Sequence, residues 1–290
     1  EMQRSLVGSE MCIRDRKYIL LIAVTVLFLF PVIYMLACSF MTGSQVSEML
    51  NFSDGKYKEL NMIPNMATLE QFYQTLFRKP EYLLKFWNSV VCTFPTVIGQ
   101  VAVSSLAAFA FAKLKFPKAD LLLKVFLATM MIPTQVTIIP LFVVMNKMSL
   151  INSYASVILP SIFRPFAVFL LVQQMRTIPN DYLDAASIDG ASTFTVYFKV
   201  ALPLCAPTLA TLSITTFMES WNDYLWPLLM LTDKTKMTLP IALSTLNGQF
   251  ATEYNVLMAG SLISMIPIIL IYCFAQKYFQ NGMMAGGIKG

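Results

Sequence analysis

Histidine is absent from all 290 residues of the sequence. The absence excludes hydrolases that depend on a histidine base and metalloproteases of the HExxH type. No GxxxxGK[ST] segment is present, so the chain has no P-loop and we expect it not to hydrolyse ATP. The five cysteines form no CxxC pair, which gives no support for a zinc site or a disulfide framework. We therefore predict no catalytic residue and no metal site.

Charged residues are also scarce. They make up 13% of the sequence, against roughly 25% in a soluble domain, whereas hydrophobic residues make up 57%. The net charge of +5 is small, and the basic residues lie beside apolar runs, so we expect no nucleic-acid partner. The composition indicates a protein whose surface largely contacts lipid.

Six apolar segments are long enough to cross a bilayer core of roughly 30 Å as helices. So many spans with almost no internal charge argue against a soluble protein with buried helices. The first run is too long for a cleaved signal peptide, and five further spans follow it. We predict an all-α integral membrane protein with spans at about 18–40, 86–112, 121–145, 153–172, 207–231 and 256–274.

Residues 1–16 differ in character from the rest and resemble translated sequencing-adaptor read-through. We expect them not to belong to the native fold, and the natural chain to begin somewhat upstream of Lys17 with a different N-terminus. Residues 17–290 then form a single transmembrane domain.

Orientation follows from the basic residues, which are enriched in cytoplasmic connections. They cluster before the first span, around 113–124, within 176–199 and after the sixth span, and a six-span chain places these four groups on one side. We predict that both termini are cytoplasmic. The longer segments 41–85 and 232–254 then lie outside, and each is large enough to fold.

The connection 178–203 has the pattern of two short helices around a glycine. Asn180 or Asp181 suits the first N-cap, and Ser192 suits the second. Gly190 lies where the first helix should end with a positive φ angle, and Pro203 should end the second helix. On the first helix, Tyr182, Ala185, Ala186 and Asp189 share one face, which is low and suited to a large partner. On the second helix, we expect Phe194, Tyr197, Phe198 and Ala201 to pack on the bundle.

This connection resembles the EAA loop of the permease subunits of ATP-binding-cassette (ABC) importers, with Asp184-Ala185-Ala186 in place of Glu-Ala-Ala. The resemblance extends over nearly all of 17–290 and is strongest to maltose-type carbohydrate-uptake permeases. Further matching segments are Ile63-Pro64, Thr68–Tyr73, Trp87-Asn88-Ser89, Phe217–Leu228 and Gly282–Gly290.

The resemblance implies a six-helix permease bundle of the MetI-like type, with a cytoplasmic coupling helix that docks on an ATPase subunit. It assigns that contact to Asp184, Ala185, Ala186, Asp189 and Gly190. The implied partners are a second homologous permease, two ATP-binding subunits and an extracytoplasmic sugar-binding protein on 41–85 and 232–254. ATP and Mg would be bound by those partners, with no cofactor on this chain, in a bacterial cytoplasmic membrane.

Ionisable side chains within the fourth and fifth spans are costly in lipid and usually face a cavity or a partner. A carboxylate beside aromatic rings suits sugar binding, and the alternative is contact between helices. Arg164 has three possible roles: lining the pathway, pairing with Glu219 or Asp223, or binding carbonyls freed by the prolines beside it. The substrate-pathway candidates are Glu219, Trp221, Asn222, Asp223, Tyr224 and Arg164.

Four alternatives stay open at this stage. The importer could carry a solute other than sugar, or the companion permease could hold most of the sugar contacts. The chain could also be a secondary transporter working alone, or a membrane scaffold that transports nothing. Against a secondary transporter, the sequence shows no internal repeat.

Overall fold

The structure is a computed structural model that describes residues 2–50, 61–78, 80–249 and 254–287. All regular structure in these ranges is helical, without a β-strand, which confirms the predicted all-α fold. In chain order the helices are α1 (Met2–Ser39), α2 (Gly43–Leu50), α3 (Glu70–Tyr73), α4 (Pro80–Lys113), α5 (Ala119–Ala128), α6 (Thr134–Lys147), α7 (Tyr154–Ile162), α8 (Pro165–Arg176), α9 (Asn180–Ile188), α10 (Thr193–Val196), α11 (Leu202–Leu204), α12 (Ala206–Trp221), α13 (Leu225–Met230), α14 (Leu239–Gln249) and α15 (Tyr254–Gly287).

Several helical segments are long and apolar enough to cross a membrane. Within the described ranges four qualify alone, and two bent pairs raise the number to as many as six. The prediction that residues 1–16 are not native stays a prediction, and α1 continues through residues 2–16. The four are Asp15–Ser39, Glu81–Lys113, Tyr154–Arg176 and Tyr254–Phe274; the pairs are Ala119–Met131 with Thr134–Lys147, and Thr193–Leu204 with Ala206–Trp221.

The third predicted span, 121–145, is not one straight helix. After α5 the chain makes a 3₁₀ turn at Thr129–Met131, and the two halves of the pair meet at an angle of 102°. Pro133 causes the break, because proline lacks an N–H group and forces the preceding residue out of the helical region. Ile132 accordingly has an extended ψ of 116°.

The fourth and fifth predicted spans, 153–172 and 207–231, are also interrupted. The fourth breaks at Phe163 and Arg164, immediately before Pro165 at the start of α8. The fifth breaks between α12 and α13, at 222–224. Pro227 explains this second break, because its ring would clash with the carbonyl group four residues earlier, at Asp223.

By its internal contacts the chain divides into two compact units. The first comprises Glu1–Pro80 and Thr245–Ile263. Within it, the side chain of Gln71 is buried, and the two N–H groups of its Nε2 are shared among the carbonyls of Ser39, Met41 (3.3 Å) and Thr68 (2.9 Å). These bonds hold 61–78 against the end of α1, and this part of the predicted outer segment is folded.

The second unit comprises Glu81–Ser244 and Ser264–Gly290. One apolar core joins α4, α5, α8, the 193–205 segment and α12, and a smaller core joins α4, α6, α7 and α13. Gly99 of α4 lies so close to α7 that a Cβ atom there would be 2.7 Å from Ile162 Cδ1. Glycine therefore permits the close approach of these two helices.

A loop at 232–238 is fixed to α4 and α7 by the buried side chain of Asn88. Asn88 Nδ2 donates to the carbonyls of Thr235 at 2.7 Å and Met237 at 2.9 Å, and its Oδ1 accepts from the Tyr154 hydroxyl at 2.8 Å. Within the loop, the Thr235 amide and hydroxyl both donate to Asp233 Oδ1, which lowers the pKa of Asp233 below its ordinary value. The loop is therefore a defined structure.

We predict that Asn88→Ala lowers the free energy of unfolding by about 2–3 kcal/mol, because it removes three hydrogen bonds made by a buried side chain. Denaturation of the purified protein in detergent measures the change. Asn146→Ala is the matched control, since Asn146 is exposed on α6, and it should change stability by less than about 0.5 kcal/mol. Equal losses in the two variants would contradict the role given to Asn88.

Candidate functional site

The predicted coupling segment, residues 178–203, forms two helices around a glycine. Gly190 has a φ of 81°, and the amides of Gly190 and Ala191 return to carbonyls of α9, as expected at a helix end. Ser192 Oγ accepts from the Thr195 amide, so the second predicted cap is confirmed. The first cap was predicted wrongly, because Pro179 occupies the N-cap position and α9 begins at Asn180.

Helix α9 has an inner and an outer face. Leu183 and Ala186 are half-buried and pack against the larger apolar core. Ala186 thus belongs to the inner face, although it was predicted on the presented face. The exposed residues of α9 are Asn180, Asp181, Tyr182, Asp184, Ala185, Ser187 and Ile188, and Asp189 and Gly190 after the helix are also exposed.

The second helix of the segment also differs from its prediction. Val196, Tyr197 and Ala201 are buried, but Phe194 and Phe198 are 70% and 58% exposed. Phe194 and Phe198, four residues apart, share the exposed face, and Tyr197 and Ala201, also four residues apart, share the buried face. This helix ends at Leu204, one residue after Pro203, the predicted stop.

Lys113 joins the end of α4 to the start of α9. Its Nζ donates to the carbonyl of Ile178 at 2.6 Å and to Asn180 Oδ1 at 2.9 Å. Both acceptors belong to the first residues of the coupling segment, and bonds to a charged donor are stronger than neutral ones. Asn180 therefore contributes to this anchor and not to a helix cap.

The breaks in the third, fourth and fifth spans share one cavity of about 580 Å³. Ile132, Arg164 and Asp223, one from each break, contribute to its wall. Within the described ranges, no cluster of three or more His, Cys, Asp or Glu side chains could hold a metal ion. The lining residues are Thr129, Met130, Ile132, Thr134, Thr137, Ile138, Leu141, Pro160, Ser161, Phe163, Arg164, Pro165, Phe166, Asp223, Leu225 and Trp226.

Arg164 and Glu219 form an ion pair beside this cavity. Arg164 Nη1 lies 2.7 Å from Glu219 Oε2, and both side chains are about half exposed. Of the three roles considered for Arg164, pairing with Glu219 is observed, and Arg164 also lines the cavity. The pair connects the break in the fourth span to the last turns of α12.

Other candidates in the fifth span lie away from the cavity lining. Trp221 is 3% exposed, packs against Phe86 and Phe217, and donates Nε1 to the Ser264 carbonyl at 3.1 Å. Asn222 Nδ2 donates to a carbonyl of its own helix, and the Tyr224 hydroxyl accepts from Ser244. These three side chains make structural contacts, and only Arg164 and Asp223 among the candidates line the cavity.

Trp226 was not among the predicted substrate-pathway residues. Its ring lines the cavity, and Nε1 donates to the Ser156 carbonyl at 2.9 Å, which fixes the indole in place. The Trp226 amide also donates to Asp223 Oδ1 at 3.4 Å. The available signal was Pro227, which predicts a helix break and hence a change of the exposed face.

Comparison with known proteins decides the family. The family described as "Binding-protein-dependent transport system inner membrane component" matches residues 100–284, more than half of the chain. The chain belongs to this family. The permease is also 37% identical to the arabinooligosaccharides transport system permease protein AraQ of Halalkalibacterium halodurans, over 78% of this chain and 81% of that protein. The AraQ protein of Bacillus subtilis is 34% identical over 92% of each chain.

A solved structure shares the fold of the permease. The crystal structure of a bacterial ABC transporter involved in the import of the acidic polysaccharide alginate superimposes with a TM-score of 0.81. The match covers 93% of this chain and 98% of that chain, at 22% identity, so it bears on the fold alone. The family and the fold confirm the predicted MetI-like permease of an ABC importer, a multi-pass membrane protein and not an enzyme. Members of the family work with a binding protein and bind no cofactor themselves.

We predict that Lys113→Met loosens the coupling helix of the permease. Loss of both Lys113 bonds should cost about 1–2 kcal/mol locally, which corresponds to roughly five- to thirtyfold faster amide exchange at 178–190. Hydrogen–deuterium exchange of the purified protein measures this. Lys115→Met, which removes an exposed charge two residues away, should leave the exchange unchanged, and equal effects of both variants would contradict the anchor.

Proposed function

We propose that the permease carries a sugar or oligosaccharide inward, as one half of the membrane channel of an ABC importer. The AraQ relatives are named for arabinooligosaccharides, which supports a carbohydrate substrate. The cavity supports the same class, because Asp223 accepts hydrogen bonds from hydroxyl groups and the fixed Trp226 ring can cover an apolar sugar face. A companion permease would complete the channel and share the substrate contacts.

We also propose that α9 is the docking site for an ATPase subunit. The observation that carries this proposal is the two-sided character of α9. Its inner face is held by Leu183, Ala186 and the Lys113 anchor, whereas Asp184, Ala185 and Asp189 remain exposed. A helix held on one side, with acidic residues and Ala185 exposed beside Tyr182 and Ile188 on the other, suits a complementary groove.

The remaining assignments follow from this docking. The α9 side of the bundle, with both termini, lies in the cytoplasm of a bacterium, and two ATP-binding partner subunits hold ATP and Mg. The segments 41–85 and 232–254 lie outside and receive the sugar-binding protein, and the fixed loop 232–238 suits this contact. Residues 51–60, 79 and 250–253 of these segments lie outside the described ranges.

Transport then arises from two states of the bundle. Closure of the ATPase subunits on ATP moves the docked α9, and Lys113 passes that movement to α4. A shift of equilibrium requires that the ATPase and the binding protein each bind the two states with different affinity. The permease supplies the pathway and the linkage, and its partners supply the energy.

We predict that Ala185→Trp weakens retention of the ATPase subunit roughly tenfold or more, because a bulky ring on the docking face prevents close contact. Co-purification of the assembled importer, followed by ATP-dependent sugar uptake in proteoliposomes, measures the effect. Ala67→Trp is the matched control, since Ala67 is exposed in the segment 41–85, away from α9 in the sequence, and this variant should retain the ATPase.

Two results would overturn the proposal. Sugar uptake by the permease without any ATPase would indicate a secondary transporter. Full retention of the ATPase by Ala185→Trp would place the docking site elsewhere on the chain.

A further inference from the structure

The charges around the cavity distinguish between classes of sugar. The ionisable residues of its lining are Arg164 and Asp223. The Glu219 carboxylate pairs with the Arg164 guanidinium at 2.7 Å. Because Glu219 neutralises Arg164, the three side chains together carry one net negative charge. Asp223 contributes that charge directly to the cavity wall.

We propose that this cavity accepts uncharged sugars and rejects acidic ones, with the Arg164–Glu219 pair as the residues that set this specificity. The inference rests on the proposed function, which it narrows to a class of substrate. An acidic sugar would have to lie near the Asp223 carboxylate and compete with Glu219 for Arg164. Both contacts place like charges together at the cavity wall, where they repel each other.

A neutral sugar meets no such penalty. Its hydroxyl groups can donate to Asp223, and its ring faces can contact the Trp226 indole and the apolar walls at Ile132 and Phe163. The volume of about 580 Å³ lies within the range of ordinary ligand sites. The cavity is therefore suited to a neutral oligosaccharide in both size and charge.

The same geometry predicts how the specificity can be changed. Glu219→Gln removes the acid that occupies Arg164 and leaves the guanidinium available to a carboxylate on the substrate, which it can bind with two parallel hydrogen bonds. Asp223→Asn removes the repelling carboxylate instead. Glu219→Gln should therefore admit acidic sugars, and Asp223→Asn should reduce their exclusion without creating a site for them.

The test uses the assembled importer in detergent without its binding protein, so that selection by that protein does not contribute. Direct titration compares a neutral arabinotriose with a trigalacturonate. We expect the wild-type complex to bind the neutral sugar more tightly, and Glu219→Gln to reduce that preference roughly tenfold. Asp120→Asn is the control, because it also removes the acid of an exposed ion pair, with Arg176, and it should leave the preference unchanged.

A double variant, Arg164→Gln with Glu219→Gln, separates charge from structural damage. It removes both charges and should gain no affinity for the acidic sugar. A gain equal to that of Glu219→Gln alone would overturn the inference.

Two further outcomes would also be decisive. If Glu219→Gln leaves the preference for the neutral sugar unchanged, the proposed selection by charge is overturned, but sugar transport is not. The same holds if the wild-type complex takes up sugar yet binds neither sugar in the titration. A complex that neither binds nor transports any sugar would overturn the proposed function together with this inference.

Discussion

Backbone N–H and C=O groups inside a bilayer have no water to bind, so a helix break there must be covered by protein or face a polar cavity. The permease has three such breaks, at 132–133, 163–164 and 222–224. Each has a proline at or just after it, and residues from each line the same cavity. Because none of these breaks can be exposed to lipid, all three lie together around one cavity. Polar side chains can be placed inside the membrane at that place because the backbone there is already irregular.

The two ends of the second unit are held by buried or charged hydrogen bonds on a single helix. Asn88 fixes the loop 232–238 near the start of α4, and Lys113 fixes the coupling segment at its end. Between them, apolar packing alone would be a weak source of order, because lipid tails are as apolar as the side chains they replace. Directed bonds to backbone carbonyls supply the specificity that the apolar surfaces lack.

The fold was predictable where the physical signal is local. Apolar length and charge scarcity predicted the helices, a glycine at a helix end predicted the positive φ of Gly190, and Ser192 was recognised as a cap. The errors concern which face of a helix is buried and which is exposed. Phe194 and Phe198 are exposed near the π-helical turn that begins at Tyr197. Trp221 is buried before the break at 222–224, and Trp226 lines the cavity after it. A residue period counted along the sequence assumes an unbroken α-helix. It therefore cannot predict which side chains are buried beyond a helix break or a π-helical turn.

The close contact of Gly99 with Ile162 has a mechanical consequence. At 1.5 Å per residue, Asn88 lies about 17 Å from Gly99 along α4, and Lys113 lies about 21 Å from it in the other direction. The contact thus lies near the middle of the part of α4 between its two anchors, Asn88 and Lys113. If α4 tilts about it, the ends move in opposite senses by similar amounts, as in a lever with nearly equal arms. A displacement at the coupling segment would then move the loop 232–238 by a similar amount, without a relay through other helices.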